Sequence, residues 1–187
     1  MFKKWLTLLF ALFLISNNYA GDIPDGFVYL NGGAFQPGSN NIKASWPKAR
    51  LLPFEILDHA VSNSEYKKFT DATDYKTPQH WIDGEIPSGY EEYPVIYVNR
   101  VDVREYLRWL TKLDGRIYRL PTRIEFQYAA RGGLINKKYT WGDDAPNEHA
   151  NFDKTGNRVF TEWKTNLKPS RWGEKNGFGL YNMSGNV

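Results

Sequence analysis

Residues 119–133 read Arg119-Leu120-Pro121-Thr122-Arg123-Ile124-Glu125-Phe126-Gln127-Tyr128-Ala129-Ala130-Arg131-Gly132-Gly133. Thr122 is placed to cap a helix, Glu125 to reach back to the cap, and Pro121 limits extension backwards. The helix runs through Phe126, Tyr128, Ala129 and Ala130 and stops at Gly132-Gly133. Upstream, Val103, Tyr106, Leu107, Leu110 and Leu113 recur at helical spacing opposite Arg104, Glu105, Arg108 and Lys112. This predicts a helix from about Asp102 to Leu113, ended by Asp114-Gly115. Ser62-x-x-Glu65 is a second capping box, followed by the apolar pair Tyr66 and Phe69. Residues 21–60 read as short strands, with apolar runs at Phe27–Leu30 and Leu51–Leu57 and a turn at Gly32-Gly33. Residues 74–94 hold three prolines and two glycines and predict a long irregular loop, and 134–187 carry no long periodic segment. The expected architecture is one α/β domain with short strands, about three helices and much irregular backbone.

Composition narrows the chemistry. The chain has 187 residues, 16% aromatic, and no cysteine. That excludes disulfides, thiolate nucleophiles, Cys-ligated zinc and iron–sulfur clusters for this polypeptide. Met1 to Ala20 (MFKKWLTLLFALFLISNNYA) joins a Lys3-Lys4 start to an apolar stretch from Trp5 to Ile15, the pattern of a secretory signal peptide. Residues 1–20 are therefore expected to be removed, leaving 21–187 as the domain, periplasmic or secreted; an uncleaved N-terminal anchor is the alternative. Their removal takes two lysines and no acids from the net charge of +3, leaving +1. A nucleic-acid or anionic-membrane partner loses its main support with that basicity.

Further motifs extend the pattern. Phe27 to Phe35 (FVYLNGGAF), Pro53-Phe54-Glu55-Ile56, Val61-Ser62-Asn63-Ser64-Glu65-Tyr66 and Tyr93 to Val98 (YPVIYV) precede the 119–133 segment. Tyr139-Thr140-Trp141-Gly142-Asp143, Ala150-Asn151-Phe152 and Gly179 to Val187 (GLYNMSGNV) follow it. In this order the segments resemble the formylglycine-generating enzyme, or sulfatase-modifying factor, family over nearly all of residues 24–187. The resemblance implies a fold related to C-type-lectin-like domains. It also marks departures. Position 123 is Arg and 127 is Gln where the family motif has acids, and Asn99-Arg100 replaces its usual Ser-Trp. Relative to the family pattern the sequence ends at Val187 inside a motif, so a C-terminal portion that holds the family's redox cysteines is expected to be missing.

By resemblance, the family oxidises a sulfatase cysteine to formylglycine with copper held by thiolates. Soft Cu(I) selects soft sulfur ligands, and this chain offers no cysteine, so copper and direct formylglycine generation are not expected. A non-haem iron branch uses histidines, but His59, His80 and His149 show no ligand spacing and read as surface or hydrogen-bonding residues. The resemblance implies structural calcium in two loops: Asn151 with the Phe152 carbonyl, and Asn182 with the Gly185 and Val187 carbonyls. The competing reading is that Asn151 and Asn182 cap turns. Asp143-Asp144 and Glu91-Glu92 read as solvated charge, and Arg119 and Arg131 as partners of acids across the fold. Trp81, Tyr90 and Tyr93 line either a ligand groove or a satellite core, the ring-rich chain favouring core.

No catalytic residue is assigned. The expected function is an exported accessory, maturation or ligand-binding domain, whose partner is another exported protein or a small ligand. The alternative is a fragment of an exported metal-dependent oxidase with its catalytic residues beyond 187. An envelope scaffold is the third class.

Overall fold

Each of the three helices among the described residues starts on a reciprocal cap. In the computed structural model, which describes residues 13–15, 23–38, 47–145, 149–151 and 167–187, α1 (Asn63–Thr73) is capped by Ser62 and Glu65. Helix α3 (Arg123–Arg131) is capped by Thr122 and Glu125, as its sequence dictates. Helix α2 (Arg100–Asp114) starts two residues before the expected Asp102, because Asn99 is its cap. The Asn99 side chain accepts from Val101 N (2.8 Å) and Asp102 N (3.3 Å), and Asp102 accepts from Asn99 N at 2.7 Å. The Asn99-Arg100 departure from the family motif is thus a working helix start.

Six short strands accompany the helices among the described residues: β1 (Phe13–Ile15), β2 (Phe27–Leu30), β3 (Gly33–Phe35), β4 (Ala49–Leu51), β5 (Phe54–Leu57) and β6 (Ile117–Arg119). The apolar run expected as one strand, Leu51–Leu57, is two. Pro53 has no N–H to give a ladder, so β4 ends before it and β5 starts after it. Strands β3 and β4 form a two-stranded ribbon, and the other four form a sheet in the order β2-β5-β1-β6. Every neighbour in that sheet is antiparallel. Phe13–Ile15, inside the segment read as a leader, occupies the place between β5 and β6.

Strand β5 divides the interior. Alternate side chains of a strand face opposite ways, and Phe54 and Ile56 join a cluster with Leu30, Ala129 and Leu180. Leu57 joins the other cluster, with Val61, Tyr66, Phe69, Trp81, Val103 and Tyr106. There Tyr66 stacks on Tyr106 at 5.4 Å, and Phe69 meets both rings edge-on at 5.2 and 5.5 Å. The long loop is pinned from α1: buried Asn63 accepts from Trp81 Nε1 (3.0 Å) and donates from Nδ2 to the Tyr90 carbonyl (2.9 Å). Trp81, 6% exposed, belongs to the core cluster.

A second asparagine fastens α3 to the chain's last loop. Asn176 Nδ2 donates to the Ala129 (2.8 Å) and Ala130 (3.3 Å) carbonyls, while its Oδ1 accepts from Phe178 N and Leu180 N. Gly132 closes α3 at φ 57°, and a Cβ there would stand 2.8 Å from Gly177 N. Only glycine permits that left-handed turn against a neighbouring backbone.

Candidate functional site

The densest charge cluster sits where β5 passes into α1. His59 is 4% exposed, with Nδ1 2.6 Å from Asp58 Oδ1 and Nε2 3.1 Å from both Glu65 oxygens. Burial pushes the imidazole pKa down, but hydrogen bonds to the two carboxylates more than offset it, and the net shift is upward. Burial likewise opposes ionisation of Asp58 and Glu65, and their bonds to His59 leave both carboxylates below their usual range. Arg171 Nε donates to Asp58 Oδ1 (3.2 Å), Lys175 lies 3.6 Å from Oδ2, and Tyr181 N donates to the Asp58 carbonyl (2.7 Å). The cluster therefore joins β5, α1 and the 170–181 loop.

Its geometry is that of a clamp. A general base needs a ring nitrogen aimed at the proton it will take. Both His59 nitrogens face carboxylates, and the adjacent Ser62 hydroxyl donates to Glu65 at 3.0 Å instead. No nucleophile–base pair forms here. The three histidines stay separate: His80 is buried beside Asn63 (3.1 Å), and exposed His149 stacks on Trp141 at 5.5 Å. Among the described residues, no group of three or more His, Asp or Glu is arranged to hold a metal ion.

The residues assigned to calcium separate into two ties. Asn151 donates from Nδ2 to Asn186 Oδ1 (3.0 Å), and its carbonyl accepts from Asn186 N (2.7 Å). Asn186 also bonds Lys168 in both directions, at 2.9 and 3.0 Å. Gly185, at φ 87°, packs so closely on the Asn151 carbonyl that a Cβ would overlap it. Asn182 donates to the Ser170 (2.8 Å) and Pro169 (3.3 Å) carbonyls. Val187 is half-buried at the end of the same loop. Phe152 lies outside the described residues. These donors suit a hard cation in kind, but all are neutral, and those of Asn151 and Asn186 are largely spent on each other. Asn186, the hub, escaped the sequence reading, because its partner Lys168 lies 18 residues away.

The surface charges fall mostly as expected. Asp143 and Asp144 form an exposed turn with Lys137 2.7 Å from Asp143, and Glu91 and Glu92 are exposed. Arg119 grips Glu125 through two bonds of 2.9 and 2.8 Å. Burial raises the Glu125 pKa, but Arg119 and Thr122 outweigh it and hold the carboxyl at about 2. Among the described residues Arg131 meets carbonyls where an acidic partner was expected. Its guanidinium donates to the Lys137 and Gly38 carbonyls and ties two loops to the end of α3.

A concave surface lies along α2. Helix α1, helix α2 and β6 enclose an open groove of about 970 Å³, floored by Phe69, Val103, Leu107 and Leu120. Arg100, Arg104, Arg108 and Lys112, four residues apart along α2, rim it, with Glu105 among them bonded to Arg108 at 2.8 Å.

Short strands around capped helices, a ring-rich core and long pinned loops define a fold shared with solved proteins. PvdO from Pseudomonas aeruginosa superposes with a TM-score of 0.61 at 25% identity, over 86% of this chain and 67% of that one. The model of the sulfatase-modifying factor enzyme 1-like domain matches residues 15–187, and the chain belongs to that family. A formylglycine-generating enzyme from Thermomonospora curvata is 27% identical over 222 residues, covering 89% of this chain and 70% of its own. The inactive C-alpha-formylglycine-generating enzyme 2 of Bos taurus is 34% identical over 104 residues, covering 51% of this chain and 31% of its own. By their names, the family holds both active and inactive members.

Proposed function

We propose that this chain is an exported accessory domain that binds another exported protein or a small ligand and does not itself oxidise cysteine. The observation that carries the reading is that none of its 187 residues is cysteine. Copper in this family's reaction calls for thiolate ligands, and the residues present do not fit it. The groove beside α2 supports a binding role, since its apolar floor and cationic rim suit an apolar segment flanked by acids. Structural calcium at the Asn151 and Asn182 loops belongs to the same reading. With neutral ligands only, it binds weakly.

The test is direct. The purified chain is incubated with copper, oxygen and a cysteine-containing sulfatase peptide, and the product is read by mass spectrometry. Unchanged thiol is the expected result, and appearance of the aldehyde sinks the reading. A second reading, part of a metal-dependent oxidase, is favoured by relatives named as formylglycine-generating enzymes, of two of which this chain covers 67–70%. Under it, the same peptide is converted by a longer polypeptide that carries this domain and cysteines.

A further inference from the structure

The leader-like segment contributes an interior strand. In the order β2-β5-β1-β6, β1 is paired on both sides: Phe13 with Ile56 and Leu14 with Glu55, then Phe13 with Arg119, Leu14 with Tyr118 and Ile15 with Ile117. Being antiparallel to both, it leaves β5 and β6 parallel to each other across a gap of about 10 Å, two strand spacings. Without β1, the facing N–H and C=O groups of two strands lose their partners. All four residues of β5 are buried, so its loss cannot be made good by water as at an ordinary edge.

The gap cannot simply close. β5 is held on its far side by four residue pairs with β2, and Ile56 is 0% exposed in the core. β6 is held to α2 by buried Tyr118, whose N–H donates to Thr111 (3.4 Å) and whose hydroxyl bonds Asp114. An occupant must therefore replace β1 rather than the walls move in.

We propose that the gap between β5 and β6 is a strand-acceptor site: in the exported chain, freed of residues 1–20, it takes up an extended apolar segment of a second polypeptide, laid antiparallel to both strands. The proposal rests on the reading that the chain is exported and loses its leader. The resident strand sets the chemistry of the occupant. Phe-Leu-Ile is apolar throughout, and its neighbour β5 is buried at all four residues. Main-chain bonds to two strands supply affinity, and an uninterrupted apolar run selects the segment.

A specific protease site introduced between Asn18 and Ala20 of the full chain tests this. Cutting frees the leader covalently while leaving β1 paired. The cut chain then receives an excess of a fluorescent, solubilised peptide with the sequence of residues 11–17, or the same peptide with proline at the position of Leu14. We expect the first peptide to replace the resident segment at one per chain with the circular dichroism spectrum unchanged, and the proline peptide to be refused. An Ile15→Cys/Ile117→Cys pair, oxidised before cutting, is expected to lower uptake at least tenfold. Aggregation after cutting that the peptide prevents also supports the site. A cut chain that sheds residues 1–18 and stays folded and monomeric without taking up peptide overturns it, as does equal uptake by the cross-linked form or aggregation that the peptide does not prevent. The intact mass of the envelope-fraction protein tests the export reading separately. If Met1 is still present there, β1 keeps its place and the second polypeptide is ruled out, whatever the peptide does.

Discussion

His80 is held neutral inside the fold. It is 8% exposed, its Nε2 is 3.1 Å from Asn63 Oδ1, and burial pushes its pKa down to about 4. An unfolded histidine takes up its proton near pH 6.5. Between pH 6.5 and about 4 the unfolded chain thus binds a proton that the folded chain does not, and stability falls as pH falls, by at most about 1.4 kcal/mol per unit. His59 has the opposite sign. Its pKa is raised, so its contribution is full below pH 6.5 and fades as pH rises through the folded value. Asp58 and Glu65 are depressed, and their contributions fade only as pH falls through their lowered values. Replacing His80→Gln is expected to flatten the slope of unfolding free energy between pH 6.5 and 4 in urea titrations. An unchanged slope would place that proton elsewhere. At this scale the sequence was informative about residue type and poor about direction. The amides of Asn151 and Asn182 were visible as loop residues, but which way each one donates depends on Asn186 and Ser170, set by the tertiary path.

Phe69 shows how much one helix depends on its buried face. It is 1% exposed and touches the rings of Tyr66, Tyr75, Tyr106 and Trp109 at 5.0–5.8 Å. Phe69→Ala removes a ring that α1 buries against α2 and leaves a cavity in its place. The expected cost is about 3–5 kcal/mol, seen as a lower urea midpoint at unchanged slope. A loss below about 1 kcal/mol would mean that the two helices repack freely. Helices were legible because their signals are local: Ser62 with Glu65 and Thr122 with Glu125 stand three residues apart. The same spacing in Asn99 and Asp102 marks the start of α2, whereas the apolar periodicity begins only at Val103. Strand pairing had no such local trace, since Ile56 and Arg119 meet only through the strand between them.

For the whole molecule, β5 is the seam on which two clusters meet, and the loops 149–151 and 167–187 close over one side. If calcium is held there only by neutral oxygens, millimolar calcium is expected to raise the thermal midpoint by no more than about 1–2 °C, the effect of ligand near its Kd. Calorimetry with calcium against chelator checks this, and a rise of 5 °C or more would mean a carboxylate ligand not identified among these residues. The family fold was legible from eight short segments in order. The place of Phe13–Ile15 in the sheet was not, because hydrophobicity alone reads the same for a leader and for a buried strand.

The Asn176 fastening also governs chemical ageing. Asparagine followed by glycine is the dipeptide most prone to deamidation, because the glycine N–H can close a ring onto the side-chain carbonyl. Asn176-Gly177 and Asn31-Gly32 are the chain's two such pairs. In the first, both ends of the amide are bonded and Gly177 is packed against Gly132, so the ring has no freedom to form. Asn31 is exposed. On storage at mildly alkaline pH, peptide mapping is expected to find deamidation at Asn31 well before Asn176. The rate at Asn176 then acts as a clock for opening of the joint between α3 and the 176–181 loop.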